Sequence, residues 1–421
     1  MQRYDTYKDS GMKWLGEIPS HWEVKRFKHF GTFSKGKLPK NTNLDGIGFP
    51  IIGASEMNGK EPSVFTEDIN VPHCLPYDIL ILWDGANAGL VANNKKGVVA
   101  STAVKYTCID DSINDRYLFY LVKNYQRYYK DKVSGTTIPH MNIAFINDTP
   151  LLVPKYAEQT AIANYLDTAT AKIDAAIAQQ QKMIDLLNER KQIIINRAVT
   201  KGLNPNAKMK DSGVEWIGEV PEGWEMRRLK HLLKSNLMYG ANESAESEDE
   251  SYPRYIRITD IDEDGKLRPD TFRSLPPAKA EPYLLKKGDL LFARSGATAG
   301  KTYLFNEDIK ACFAGYLIKA SLKETLLPEY LNYYTKSGIY DNWKKSIFIQ
   351  ATIPNIGAEK YANLQITLPS IKEQKDIVKH LDVETGIINQ VVRNCKNQIS
   401  LLQERKQIII NEVVTGKVKV G

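Results

Sequence analysis

LLNERKQIIINRAVT at residues 186–200 and LLQERKQIIINEVVT at residues 401–415 share one octamer, ERKQIIIN, at Glu189–Asn196 and again at Glu404–Asn411. The flanks show whether this is coincidence. KDSGMKWLGEIPSHWEVKRFKH, residues 8–29, returns as KDSGVEWIGEVPEGWEMRRLKH, residues 210–231. Weaker echoes follow in the same order. DILILWDGANAG at 78–89 matches DLLFARSGATAG at 289–300, and Thr137-Ile138-Pro139 matches Thr352-Ile353-Pro354. Pro154 with Glu158-Gln159 and Leu166-Asp167 matches Pro369 with Glu373-Gln374 and Leu381-Asp382. The offset grows along the chain, so the second copy has gained loop residues; the acidic stretch NESAESEDES, 242–251, is one such gain. A repeat of this length is a whole domain with an appendage, not a solenoid unit.

The octamer sits at the end of a seven-residue apolar repeat. Leu166, Ile173, Gln180, Leu187 and Ile194 fall seven apart, with Ile177 and Ile184 in the neighbouring row. The second copy reads Leu381, Ile388, Cys395, Leu402 and Ile409, with Val392 and Ile399 beside it. Such a stripe, sustained over four heptads, favours two helices paired as a coiled coil over a lone core helix. Two helices with matching stripes have a partner in each other. Leu166, Ile173, Leu187 and Ile194 are expected against Leu381, Ile388, Leu402 and Ile409. At 1.5 Å per residue the stretch from Leu166 to Ile194 reaches about 42 Å.

Before each helix lie short β-like runs separated by Gly, Pro, Asn and Asp: FPIIGAS, DILILW, GVVAST and AVKYTCI, then PRYIRIT, DLLFARS, GYLIKAS and LQITLP. Each half also holds a short helical segment, RYLFYLVKNYQRYYK or PEYLNYYTKSGIYDNW. The expected fold is therefore α+β, a tandem duplication of a mainly β domain followed by a long helix. The two helices pair antiparallel about a pseudo-twofold axis. The boundaries expected are 1–152 for the first domain, with its W-x-G-x-x-P-x-x-W segment at 14–22, and 153–201 for the first helix. The linker and second domain follow at 202–367, with the segment at 216–224, and the second helix at 368–416.

The chain has 421 residues, 42% hydrophobic and 25% charged, with a formal charge of +7. No run approaches the roughly 18 apolar residues of a membrane span, and MQRYDTYKDSG has no signal-peptide core. A cytoplasmic location without membrane contact is expected. Cys74, Cys108, Cys312 and Cys395 form no C-x-x-C pair and the histidines no metal-spaced pair, so no metal site is expected.

Two motifs imitate ligand sites and fail on their own terms. SGATAGKT, 295–302, has Ser295 where a phosphate-binding loop needs glycine, and TYLFNEDIKACF after it reads as strand and turn. Without a helix N-terminus the phosphate loses both amide cradle and dipole. Asp260, Asp262, Asp264 and Gly265 open like a calcium loop, but the twelfth position is Thr271, not the bidentate glutamate. No nucleophile elbow and no glycine-rich cofactor fingerprint is present, so neither a catalytic residue nor a bound cofactor is expected.

Basic residues interleaved with aromatics recur in both domains: KRFKHFGTFSKGKLPKN, NYQRYYKDK and NWKKS. Lys and Arg neutralise phosphates, and amides can read base edges. Candidate DNA contacts in the first half are Lys35, Lys37, Lys40, Asn87, Asn93, Lys95, Thr137 and His140. In the second they are Arg254, Arg257, Arg294, Ser295, Thr298, Lys301, Lys344, Lys345 and Gln350. A solvated basic face is the plain alternative.

With these residues in view the chain resembles the specificity (S) subunit of Type I restriction–modification systems along nearly its whole length. The likeness rests on W-x-G-x-x-P-x-x-W before each domain and on GDLLFARSGATAGKT at 288–302. It also rests on T-I-P, on P-x-x-x-E-Q at each helix start, and on the ERKQIIIN helices. WDGANAGLVAN departs from the pattern in the first half. The resemblance implies two target-recognition domains, each reading half of a bipartite double-stranded DNA target. The helices would set the spacing and dock two modification (M) subunits. S-adenosylmethionine, ATP and Mg would belong to the partner subunits, with restriction (R) subunits completing the complex. A separation of about 42 Å is near the spacing of about 34–36 Å between half-sites one helical turn apart. Partner contacts are expected at Arg190, Lys191, Asn196, Arg405, Lys406 and Asn411, and at Trp14, Trp22, Trp216 and Trp224. Two other classes stay open on the residues alone: a duplicated coiled-coil scaffold without DNA binding, and a self-sufficient enzyme acting on DNA.

Overall fold

The computed structural model describes residues 2–131, 141–262, 265–348 and 354–420. It divides into two compact units, and these do not follow the repeat boundary. One comprises residues 1–181 with 396–421; the other comprises 182–395. Each unit therefore holds one domain, the start of its own long helix, and the end of the other repeat's helix.

In the first unit a four-stranded antiparallel sheet runs in the order Gly31–Lys35, Ala103–Cys108, Ile79–Leu82, Val91–Ala92. A second sheet is built on Phe49–Ile52, with Gly97–Val99 parallel to it and Phe65–Thr66 antiparallel. Ile79–Leu82 shows why its residues read as an unbroken apolar run. Strand side chains alternate between faces, and here both faces are covered. Ile79 and Ile81 enter the large core with the helix Asp115–Asn124, whereas Leu80 and Leu82 enter a smaller core with Ile52, Met57 and Val99. Asn114 caps that helix by accepting from the Arg116 and Tyr117 amides. Glu23–Arg26 pairs with Pro150–Val153 and clasps the domain's ends together.

The second unit repeats the plan. Its sheet runs Met238–Tyr239, Leu317–Ala320, Leu290–Ala293, Thr302–Leu304. Leu290 and Phe292 enter one core, Leu291 and Ala293 another. Glu225–Arg228 pairs with Gln365–Leu368. The helical segment expected after Pro328 is broken, giving Pro328–Tyr334 and Gly338–Phe348. Arg254–Ile256 pairs parallel with Ala311–Phe313.

The long helices are continuous, Tyr156–Lys201 and Ile371–Val414. They pair within each unit. In the first unit Lys406 reaches Asp174 at 2.6 Å; in the second Lys191 donates to Asn389 Oδ1 at 2.8 Å. Within the first unit, going from Leu166 to Asp174 on one helix goes from Ile409 back to Lys406 on the other, so the pairing there is antiparallel. Of the seam, Leu166, Ile173, Ile184, Leu381, Ile388 and Cys395 are buried, whereas Leu187, Ile194, Leu402 and Ile409 are half-buried. Leu166 joins the first core with Ile409 and Ile410. Leu381 joins the second with Ile194 and Ile195.

The duplicated P-x-x-x-E-Q start has a structural cause. The buried Gln159 donates to Pro154 O and Ser112 O and accepts from the Asn114 amide. Gln374 does the same with Pro369 O, Thr325 O and the Leu327 amide. One amide side chain thus ties the long helix to the domain helix beside it. No helix among the described residues is long and apolar enough to cross a membrane.

Candidate nucleic-acid interface and helix surfaces

The W-x-G-x-x-P-x-x-W segment is a hairpin, Tyr7–Asp9 with Glu17–Pro19 and Met209–Asp211 with Glu219–Pro221. Its two tryptophans part company. Trp14 and Trp216 are about 40% exposed, whereas Trp22 and Trp224 are buried. Trp22 lies over Gly416, where the second long helix ends, and Trp224 lies over Gly202, where the first ends. Both glycines hold φ near +70°, the left-handed turn that stops a helix. Trp22 and Trp224, expected on a partner surface, therefore anchor the helix end inside their own unit; an aromatic ring of that size is worth more buried.

The ERKQIIIN residues separate likewise. Lys191 and Lys406 cross-link the helix pair as described. Asn196 accepts from the Gly338 amide, and Asn411 accepts from Asn124 Nδ2. Their retention in both copies is accounted for within the chain. Arg190 and Arg405 are exposed. On the same helix face stand Leu186 and Ile193, 52% and 58% exposed, and Leu401 and Ile408, 58% and 48% exposed. These four apolar residues escaped the heptad reading because they lie off the seam. Identical exposed rows of Leu, Arg and Ile on both helices are the surfaces that equivalent partners could share.

Glycine loops follow the central strands. In the second domain Arg294 and Ser295 lead into a turn at Gly296–Thr298. The amides of Gly296, Ala299, Gly300 and Lys301 are all spent on carbonyls of the loop and its neighbours. The element after the loop is the strand Thr302–Leu304, so the loop opens no helix whose N-terminus could face a phosphate. The Lys301 ammonium donates to Ile261 O. The Arg294 guanidinium lies 5.2 Å from the centroid of the Tyr239 ring. In the first domain the place of Arg294 is taken by Trp83, and the Lys35 ammonium lies 5.2 Å from its ring centroid.

Several other candidate DNA contacts are committed elsewhere. Arg257 donates from Nε and Nη2 to the buried Asp260. A buried carboxyl needs such partners, so the guanidinium holds a turn and is not free for a phosphate. Arg254 donates to Arg268 O and stacks on Phe272. Lys344 pairs with Asp341 and covers Tyr340. Lys35, Lys37, Lys40, Asn87 and Lys345 are exposed; Asn93, Lys95, Ser295 and Thr298 are half-buried. Thr137, His140 and Gln350 lie outside the described residues. Tyr239, Trp83 and the 68%-exposed Tyr316 stand beside these loops and are not among the expected contacts.

Each unit also has a cleft where the domain helix meets the start of the long helix. In the first unit it is lined by Tyr77, Ile109, Asp110, Asp111, Asp115, Arg116 and Tyr156. In the second it is lined by Lys234, Lys286, Lys287, Lys319, Lys323 and Lys375, with Glu324 and the buried Asp289. A further cleft in the first unit holds Lys123 beside Lys406. Burial, reinforced by the Lys406 charge, pushes the Lys123 ammonium down to about 8; it donates to Val91 O and Gln126 Oε1. Lys336, close to Lys191, is pushed down by burial in the same way.

The family model for the Type I restriction modification DNA specificity domain matches this chain twice, at residues 19–184 and 221–400. The MjaVIII specificity subunit of Methanocaldococcus jannaschii, named as that of a Type I restriction enzyme, is 28% identical over 98% of this chain and 97% of its own. The EcoBI specificity subunit of Escherichia coli is 22% identical over 90% of this chain and 81% of its own. A chain from a structure of type I R-M system assembly and conformational transition superposes with a TM-score of 0.67 at 16% identity. It covers 95% of this chain and 99% of that one, a likeness of fold.

Proposed function

Because this chain belongs to the Type I restriction modification DNA specificity family, we infer that it is the DNA-specificity subunit of such a system. The observation that carries this is the double match, one specificity domain in each half. Each domain reads one half of a bipartite DNA target. The helix pair sets the spacing. Two methyltransferase subunits dock on the duplicated helix rows, and restriction subunits complete the complex. S-adenosylmethionine, ATP and Mg bind those partners, and this chain supplies recognition instead of catalysis. A scaffold without DNA contact is not favoured, because the family's defining domain is a DNA-specificity domain.

The spacing role is tested by inserting one heptad into each helix, after Gln181 and after Lys396. These points lie close to the unit boundaries, so contacts within each unit are kept. Seven helical residues add about 10 Å, close to three base pairs. Sequencing of methylated DNA should show both half-site sequences retained and the gap between them lengthened. An altered half-site with an unchanged gap would refute the ruler. Docking is tested by Arg190→Glu with Arg405→Glu. Loss of co-purifying methyltransferase with a melting temperature lowered by no more than a few degrees supports it; undiminished co-purification refutes it.

A further inference from the structure

The two domains build the same cation–aromatic pair beside their glycine loops, with the roles exchanged. The sheet registers show that the places are equivalent. Lys35 faces Val104, which faces Ile81; Tyr239 faces Ile318, which faces Phe292. Trp83 and Arg294 each follow two residues after that central-strand position. The residue after each strand position is a glycine pressed on backbone. A Cβ on Gly36 would meet Ala100 O at 2.0 Å, and one on Gly240 would meet Ala314 O at 2.3 Å. In the first domain the strand carries the cation and the loop the ring. In the second the strand carries the ring and the loop the cation. The separation is 5.2 Å in both.

This pair has what a base reader needs and the neighbouring cations lack. Among the described residues no ion pair or side-chain hydrogen bond engages Lys35 or Arg294, whereas Arg254, Arg257, Lys301 and Lys344 are engaged. A ring beneath a guanidinium fixes its plane and leaves the N–H edge outward, at little cost in side-chain freedom. A phosphate contact needs charge but not this orientation. Guanine does need it, since O6 and N7 in the major groove accept a pair of parallel N–H donors. Phosphate contacts are also alike for every sequence, so they give two domains no reason to differ at matched places. The exchange keeps the interaction while changing which group the loop presents, a guanidinium in the second domain and an indole in the first.

We propose that Arg294, positioned on Tyr239, reads the guanine of a G·C pair in the half-site bound by the second domain. The Lys35–Trp83 pair occupies the corresponding reading position in the first. This rests on the function inferred above. The test co-expresses the chain with its methyltransferase partner and maps methylated sites across the host genome. The wild-type complex should show a bipartite motif with a G·C pair in one half. Arg294→Lys should reduce discrimination at that one position by about tenfold, the size expected from losing a bidentate contact, and leave the other half-site unchanged. Tyr239→Leu should relax the same position less. An unchanged motif with methylation uniformly weaker would make Arg294 a phosphate contact and overturn the proposal. So would a second half-site, located by exchanging residues 225–368, that lacks G·C. If Arg294→Lys abolishes methylation, Tyr239→Leu decides on the same two criteria. A wild-type complex with no bipartite motif would instead overturn the functional reading itself.

Discussion

The clefts at the two helix starts are the same cavity with opposite charge. Their floors match. Asp78 is buried and accepts from Thr107 and from the Leu75 amide; Asp289 is buried and accepts from Ser321 and from the Lys286 amide. Gln159 and Gln374 make the same three bonds beneath them. The rims do not match. Ile109 and Tyr156 on one side correspond to Lys323 and Ile371 on the other, and Pro76 and Leu75 to Lys287 and Lys286, although Asp110 and Glu324 are both acidic. Buried polar groups must keep their partners, because an orphaned one costs about 1–3 kcal/mol. Rim residues in water carry no such debt and diverge freely. Two copies of one partner cannot both be recognised by surfaces of opposite sign. The rows that did not diverge, with Leu186, Arg190 and Ile193 matched by Leu401, Arg405 and Ile408, are therefore where the docking proposed above is to be tested.

The largest effect that can break this symmetry lies under the hairpins. Trp22 Nε1 donates to Glu158 at 3.1 Å, whereas the buried Trp224 Nε1 has no partner among the described residues. Trp22→Ala and Trp224→Ala should each cost about 3–5 kcal/mol, the usual loss for a buried ring. Replacement by Phe should separate them. Both variants give up similar volume, but only Trp22→Phe removes a bond to the Glu158 carboxylate, which is left with His21, while Trp224→Phe removes a donor that has no partner among the described residues. Chemical denaturation should find Trp22→Phe the more costly by about 1–2 kcal/mol. Equal costs would show that the indole–carboxylate bond contributes nothing.

How much of this was legible in the sequence follows from the range over which each signal acts. The duplication, the two long helices and the central strands are written in local periodicity and in repeated strings. The exchange of helix ends between repeats is not, because the Trp22–Gly416 and Asn124–Asn411 contacts join opposite ends of the chain. The retained Lys and Asn of ERKQIIIN therefore pointed to a partner protein, although their partners lie within the chain. Arg257 illustrates the converse. Asp260 stands only three residues away, and the turn that pairs them could have been weighed against a phosphate contact. The exchanged cation–aromatic pair was hidden for a third reason. Compared one position at a time, Lys35 with Tyr239 and Trp83 with Arg294 look like divergence. Only the two positions taken together show a retained interaction.

The smallest expected effect sharpens the comparison most, because it asks whether the rims matter to folding at all. Asp110→Lys with Asp111→Lys would give the first cleft the basic sign of the second, and Lys286→Glu with Lys287→Glu would do the reverse. Each change lies on a solvated rim, where single substitutions usually stay within about 0.5 kcal/mol. One local cost is foreseeable. The Ser112 hydroxyl, with the Ser112 amide that donates to Asp110 Oδ1, holds the Asp110 carboxyl below the usual range, so that substitution loses a turn contact. The Lys287–Asp308 pair is largely exposed and offers little to lose. Both double variants should therefore melt within a few degrees of the parent and co-purify with the same number of methyltransferase subunits. Loss of partner binding from one exchange alone would place an asymmetric contact in that cleft, and the equivalence of the two docking sites would fall with it.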